Sequence, residues 1–168
     1  MLKLSFLSLL LISSFASAEE ERRADAHAHG LNNFSMVISQ NQVAITYEMP
    51  IVQLLDEHDE NDEHDKLTVS DESLAEFQNY SQLFAFPKGA NCDLVSFKSE
   101  LHSVSTEGDH KDVELSYEFS CNEPSQLKSI TINAFNHFSE LENLYFEAVI
   151  NNKALTKSLK SDVDKVIF

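Results

Sequence analysis

The sequence predicts an α+β fold, a mostly antiparallel β-sheet of six or seven strands with one substantial helix. Three observations predict it. Apolar residues recur at every second position in several runs, the period of a half-buried strand. One stretch, after Ser70, instead carries apolar residues at helical spacing. Short pairs such as Gln40-Asn41 and Asn151-Asn152 separate neighbouring runs in the manner of hairpin turns.

In chain order, residues 1–18 come first. Lys3 precedes an apolar run from Leu4 to Phe15, and the segment ends Ala16-Ser17-Ala18. Small residues at −1 and −3 mark a cleavable secretory signal peptide, too short and wrongly flanked for a membrane anchor. No cysteine precedes Cys92, so a lipid-modified cysteine at the cleavage point is excluded. Residues 19–168 then form a single domain of 150 residues (168 less 18), enough for one core.

Leu31–Ser39 and Gln42–Met49 read as two strands joined at Gln40-Asn41, where Asn41 suits left-handed backbone angles. Val43, Ile45, Tyr47 and Met49 alternate with Ala44, Thr46 and Glu48, and Pro50 stops the second strand. Residues 56–65 hold seven acids, two histidines and one asparagine, a composition that cannot be buried. Ser70 is a natural cap for a helix whose first turn holds Asp71 and Glu72. Leu74, Phe77, Tyr80 and Phe84 continue that helix until Pro87-Lys88-Gly89.

Residues 92–104 and 112–121 form a long hairpin. Val113, Leu115, Tyr117, Phe119 and Cys121 share one face of the second arm; Val95, Phe97 and Leu101 share one face of the first. Setting Cys92 directly opposite Cys121 would put these apolar faces on opposite sides of the sheet. Either Cys92 lies just outside the regular strand or a bulge intervenes. Residues 128–135, 143–150 and 154–160 supply further strands, with a turn or short helix at 136–140. The chain shows no internal repeat and no linker.

The charge restricts function. The chain carries 28 Asp and Glu against 12 Lys and Arg, a net −16 that becomes −17 once Lys3 leaves with the signal. Such a chain is repelled by phosphate backbones and anionic lipid, so nucleic acid and membrane insertion after cleavage are not expected partners. It attracts cations. The two cysteines, Cys92 and Cys121, belong to an oxidising compartment and read as a disulfide. Closing a loop of about 30 residues stabilises by roughly 3–4 kcal/mol.

Histidines carry the candidate chemistry. His27 and His29 are separated by one residue, and in extended chain positions i and i+2 project to the same side, so both imidazoles reach one ion. Imidazole suits zinc, and also copper and nickel, more than calcium or magnesium. His58 and His64 stand among carboxylates in the acidic segment. That segment is not an EF-hand: counted from Asp59, His64 stands in place of the turn glycine and Ser70 in place of the terminal glutamate. His102 and His110 flank the tip of the long hairpin, with Asp112 beside them, and a hairpin tip brings its two arms together. His137, between Phe135 and Phe138, reads as a packed or surface ring. Ligation needs neutral imidazoles, so affinity should fall below pH about 6.5.

Enzymatic signatures are missing: no Gly-x-Ser-x-Gly, no His-Glu-x-x-His, and no phosphate-cradling loop in a chain with three glycines. The protein is not expected to be an enzyme.

His27-Ala28-His29-Gly30, Glu57-His58, Ala90-Asn91-Cys92, His110-Lys111-Asp112, Tyr117-Glu118-Phe119-Ser120-Cys121 and Phe135-Asn136-His137-Phe138 occur in one order across nearly the whole exported chain. In that order and spacing the sequence resembles the ZrgA family, zinc-regulated zinc-binding proteins of the bacterial periplasm. Leu55-Asp56 stand where the family has Gly-Phe, and the hairpin loop has fewer histidines than relatives often carry. The resemblance implies a periplasmic, non-enzymatic protein that binds Zn2+ and supports its capture, or its delivery to a zinc ABC importer or that importer's binding protein. The metal candidates are then His27 and His29 first, His110 with Asp112 next, then His58, with His64 and His102 auxiliary. A rival reading is a structural or adaptor protein of the envelope whose acidic loop serves solubility alone.

Overall fold

The computed structural model describes residues 31–54, 69–103, 111–161 and 165–168. Its main sheet contains β1 (Leu31–Ser39), β2 (Gln42–Pro50), β4 (Cys92–Ser103), β5 (Lys111–Cys121), β7 (Asn143–Ile150) and β8 (Lys153–Lys160). They run in the order β4-β5-β2-β1-β7-β8. A smaller sheet, β3-β6-β9, is made from Phe84–Ala85, Ser129–Ile132 and Lys165–Ile167. All pairings are antiparallel except β1 with β7, which is parallel and joins two hairpins of opposite provenance in the chain. The fold is α+β and mostly antiparallel, as the alternation predicts.

Each strand of the main sheet sorts its residues by face. On β2, Val43, Ile45, Tyr47 and Met49 are buried while Gln42, Ala44 and Glu48 are exposed. On β5, Val113 to Cys121 at every second position are buried. These residues build one core with Phe34, Met36 and Phe146, closed from the other side by Leu74, Phe77, Leu83, Phe84, Ile130, Ile132, Phe138 and Val166. Phe84 is its hinge point. Its ring meets Phe34 and Tyr117 at 5.4 Å each, and Phe119 at 6.0 Å, all close to edge-on. That is the favoured geometry for aromatic pairs and fixes the smaller sheet against the larger one.

The bulge is the alternative that the hairpin adopts. Cys92 pairs directly with Cys121, and the two form a disulfide. The register slips by one between Leu94 and Ser96, so that Phe97 comes opposite Tyr117. Val95, the extra residue, is pushed out to 65% exposure instead of sharing the Phe97 face. A bulge restores the face on which the rest of the strand packs.

Two local expectations differ in detail. The helix is shorter than its apolar spacing predicts: α1 covers Asp71–Ala75, followed by 3-10 turns at Glu76–Gln78 and Tyr80–Gln82. Ser70 caps it, its hydroxyl accepting from the Ser73 N–H at 3.1 Å. Asn79, with ψ 73°, breaks the helix, and its side-chain oxygen accepts from the Ser81 hydroxyl at 2.7 Å. Asn and Ser compete with helical hydrogen bonds in this way. Phe84 is thereby released to join a strand. In the β1–β2 turn, Gln40 takes the positive φ of 57° rather than Asn41. Asn41 is held by its carbonyl, which accepts from the Cys121 N–H at 2.7 Å. The Asn151-Asn152 turn is as expected for a primed hairpin turn, with φ of 50° and 65°.

Among the described residues, no helix is long and apolar enough to cross a membrane.

Candidate functional site

The end of the main sheet where β4 and β5 join residues 104–110 collects polar side chains on the outer face. Strand alternation places them there: Asp112 and Glu114 alternate with buried Val113 and Leu115, and Glu48 lies between buried Tyr47 and Met49. His102 on β4 is the direct cross-strand partner of Asp112 on β5. The hairpin therefore brings these two predicted metal residues together. One step further from the tip, Glu100 faces Glu114, and Glu114 in turn faces Glu48 on β2.

The His102 ring turns back toward that second row. Its Nε2 lies 3.5 Å from Glu114 Oε2 and 3.8 Å from Glu100 Oε2. The histidine and Glu100 are largely solvent-facing, so their attraction is screened and contributes little to stability. Two of the carboxylates are held from the side. Asn33 Nδ2 donates to Glu48 Oε2 at 3.2 Å, and the Ser116 hydroxyl donates to Glu114 Oε1 at 3.0 Å.

Glu48, Glu100 and Glu114 are not metal candidates by sequence pattern, for each occupies an ordinary outward position of an alternating strand. Only the pairing of three strands, one of them distant in sequence, sets them in line. Among the described residues, no group of three or more His, Cys, Asp or Glu side chains could hold a metal ion.

The remaining predicted ligands are His27, His29, His58, His64 and His110. All five lie outside the described residues, as do the signal segment 1–18 and the acidic run 56–65. His137 is an exposed residue whose ring rests edge-on against Phe77 at 5.7 Å and Phe138 at 4.6 Å.

Beneath the same end of the sheet is a buried polar pair. The Asn32 amide donates to the Tyr47 hydroxyl, and both residues are fully buried. The Tyr117 hydroxyl donates to the Phe77 carbonyl at 2.8 Å, tying the sheet to the segment after α1. Burial holds both phenols above the usual tyrosine range; the Asn32 hydrogen bond partly opposes this at Tyr47, and nearby Tyr47 adds to it at Tyr117.

An imidazole beside carboxylates on adjoining strands offers donor types that suit a divalent transition ion. A family model described as "ZrgA family zinc uptake protein" matches residues 26–168. No curated protein matches the chain.

Proposed function

Since this chain belongs to the ZrgA family of zinc uptake proteins, we propose that it is an exported, non-enzymatic protein that binds zinc and supports its capture or its delivery to an importer. The observation that carries the reading is the cross-strand pairing of His102 with Asp112 at the end of the β4–β5 hairpin. It sets a nitrogen and an oxygen donor on adjacent strands, next to the segment that contains His110. Sequence supplies the other arm, His27-x-His29, whose spacing lets two imidazoles meet one ion. The strongly acidic composition adds a general attraction for cations.

Export follows from the signal-like residues 1–18, and the Cys92–Cys121 disulfide fits an oxidising compartment such as the periplasm. Delivery to a zinc importer or its binding protein is the role that membership of a zinc uptake family favours. An acidic donor set of this kind would also accept copper or nickel, so metal choice rests on supply as much as on geometry.

Calorimetric zinc titration of the mature chain tests the reading against a His27→Ala/His29→Ala variant. Zinc held by the folded state raises the melting temperature, and chelation reverses it. An envelope adaptor with a solvating acidic loop would show no zinc-dependent shift. A wild type that binds zinc no more tightly than the double variant removes His27 and His29 from the ligand set.

A further inference from the structure

We propose that β8 is a docking edge that takes, as an added strand, an extended acidic segment of a partner protein. In that segment one acid stands two positions before an apolar residue and another two positions after it. β8 (Lys153–Lys160) is the last strand of the main sheet and, among the described residues, has a neighbour on one side alone, β7. Its open side follows from the turn. Ile150 and Lys153 are the pair that closes the two-residue Asn151-Asn152 turn. A pair in that position exchanges its backbone hydrogen bonds, and hydrogen-bonded pairs then recur at every second residue. Lys153, Leu155, Lys157 and Leu159 therefore point their backbone groups to β7, while Ala154, Thr156, Ser158 and Lys160 turn theirs outward. An open edge of this kind is a template for one more strand.

The charge identifies the occupant. Three of the eight residues are lysine and none is acidic, so a chain of net −16 presents a local +3 here. All three lysines are exposed, and among the described residues none has a carboxylate within ion-pair distance. Glu147, the acid of β7, lies on the face away from Lys153 and Lys157 and accepts from the Ser35 hydroxyl at 2.8 Å. Lysines also guard an edge against self-pairing, since β8 of a second copy would bring like charges together. An acidic segment meets the opposite condition.

The side chains set the pattern of that segment. On the core face of β8 the order is Lys153, Leu155, Lys157, Leu159. Leu159 is buried, whereas Leu155 is half-buried against the core with part of its surface open. Residues directly opposite on paired strands are in contact. An added strand therefore lays its apolar side chain beside Leu155 and one acid beside each flanking lysine. Because Lys-Leu-Lys reads the same in both directions, the segment fits parallel or antiparallel. On the outer face Ala154, Thr156 and Ser158 are small and uncharged, and they impose no selection.

This surface is separate from the zinc reading, and its test needs no metal. A fluorescein-labelled peptide, Thr-Asp-Thr-Val-Thr-Asp-Thr, is titrated with the mature chain and followed by anisotropy, beside Thr-Thr-Val-Asp-Asp-Thr-Thr of the same composition. The first peptide should bind at least about fivefold more tightly than the second, and Lys153→Gln/Lys157→Gln should weaken it about tenfold. Thr156→Pro should weaken it as much, because it removes an outward N–H and leaves the β7 ladder intact. In the wild type, the amides of Thr156 and Ser158 should gain protection from hydrogen exchange when the first peptide is added. That readout does not depend on how well the proline variant folds. A wild type that does not bind, equal binding of the two peptides, unchanged binding by the lysine variant, or no gain in protection at these amides overturns the proposal. Binding that Thr156→Pro leaves unchanged is charge attraction alone and overturns it too.

Discussion

Cys92 and Cys121 are direct cross-strand partners at the open end of the β4–β5 hairpin, joined by a disulfide 29 residues apart in sequence. Three residues later the register shifts at Val95, so that half-buried Phe97 packs against the core with its ring 5.1 Å from that of buried Tyr117. The bulge reconciles the covalent link with the aromatic packing; a regular strand of the same length could keep only one of the two.

Deleting Val95 should therefore be tolerated, because it removes the extra residue and leaves Cys92 and Phe97 an even number of positions apart on one face of a regular strand. The expected result is a fully disulfide-bonded protein, without free thiol by reagent titration, and with unchanged near-ultraviolet dichroism from its aromatic residues. A deletion variant with free thiol or lost aromatic signal would refute the account of the bulge.

Replacing Cys92 and Cys121 together by serine frees the unfolded chain. The loop-entropy estimate gives a cost of roughly 3–4 kcal/mol, or a melting temperature lower by roughly 6–16 °C for a domain of this size. Thermal melts of the variant and of the reduced wild type should agree. A change under about 2 °C would mean that the hairpin's other contacts already constrain that loop.

Phe84→Ala should be among the most damaging core substitutions. The side chain is fully buried and touches Phe34, Tyr117 and Phe119 from the opposite layer. Its removal leaves a cavity between the two sheets at a cost of about 3–5 kcal/mol. Denaturant midpoints measure it. A loss below about 1 kcal/mol would mean that the smaller sheet does not close the core at this ring.

Alkaline pH should weaken the fold. An unfolded phenol ionises near pH about 10, and burial raises Tyr47 and Tyr117 above that in the folded protein. Their folded values exceed the unfolded one, so the stability they contribute is complete below pH about 10 and declines as pH rises from there toward the raised folded values. Denaturant titrations through that range, with tyrosinate absorbance followed in parallel, should show the two changes together. Tyrosines that ionise near pH about 10 in the native protein, without loss of fold, would contradict the burial.

Much of this architecture was written locally. The alternation in residues 42–49 and 113–121 specifies which face is buried, and Ser70 specifies where α1 begins. The hairpin between residues 92 and 121, with His102 and Asp112 near its tip, follows from the same short-range pattern. The shorter helix was harder to read, because Phe84 fits a helical stripe as well as a strand and tertiary contact with Phe34, Tyr117 and Phe119 settles the competition.

By itself, then, the sequence determined the strands of the main sheet, their buried faces, the paired cysteines and the chemical type of the candidate ligands, since alternation, capping and side-chain chemistry act over a few residues; Phe84–Ala85 and Lys165–Ile167, strands of the smaller sheet, carry too few residues for such a pattern. Only tertiary structure decided that β1 runs parallel to β7, that Val95 bulges, and that Glu48 joins Glu100 and Glu114 in one row. Those outcomes depend on which strands meet and in what register. Such pairings are selected by closure of a shared core around Phe84, over separations at which local patterns carry no information.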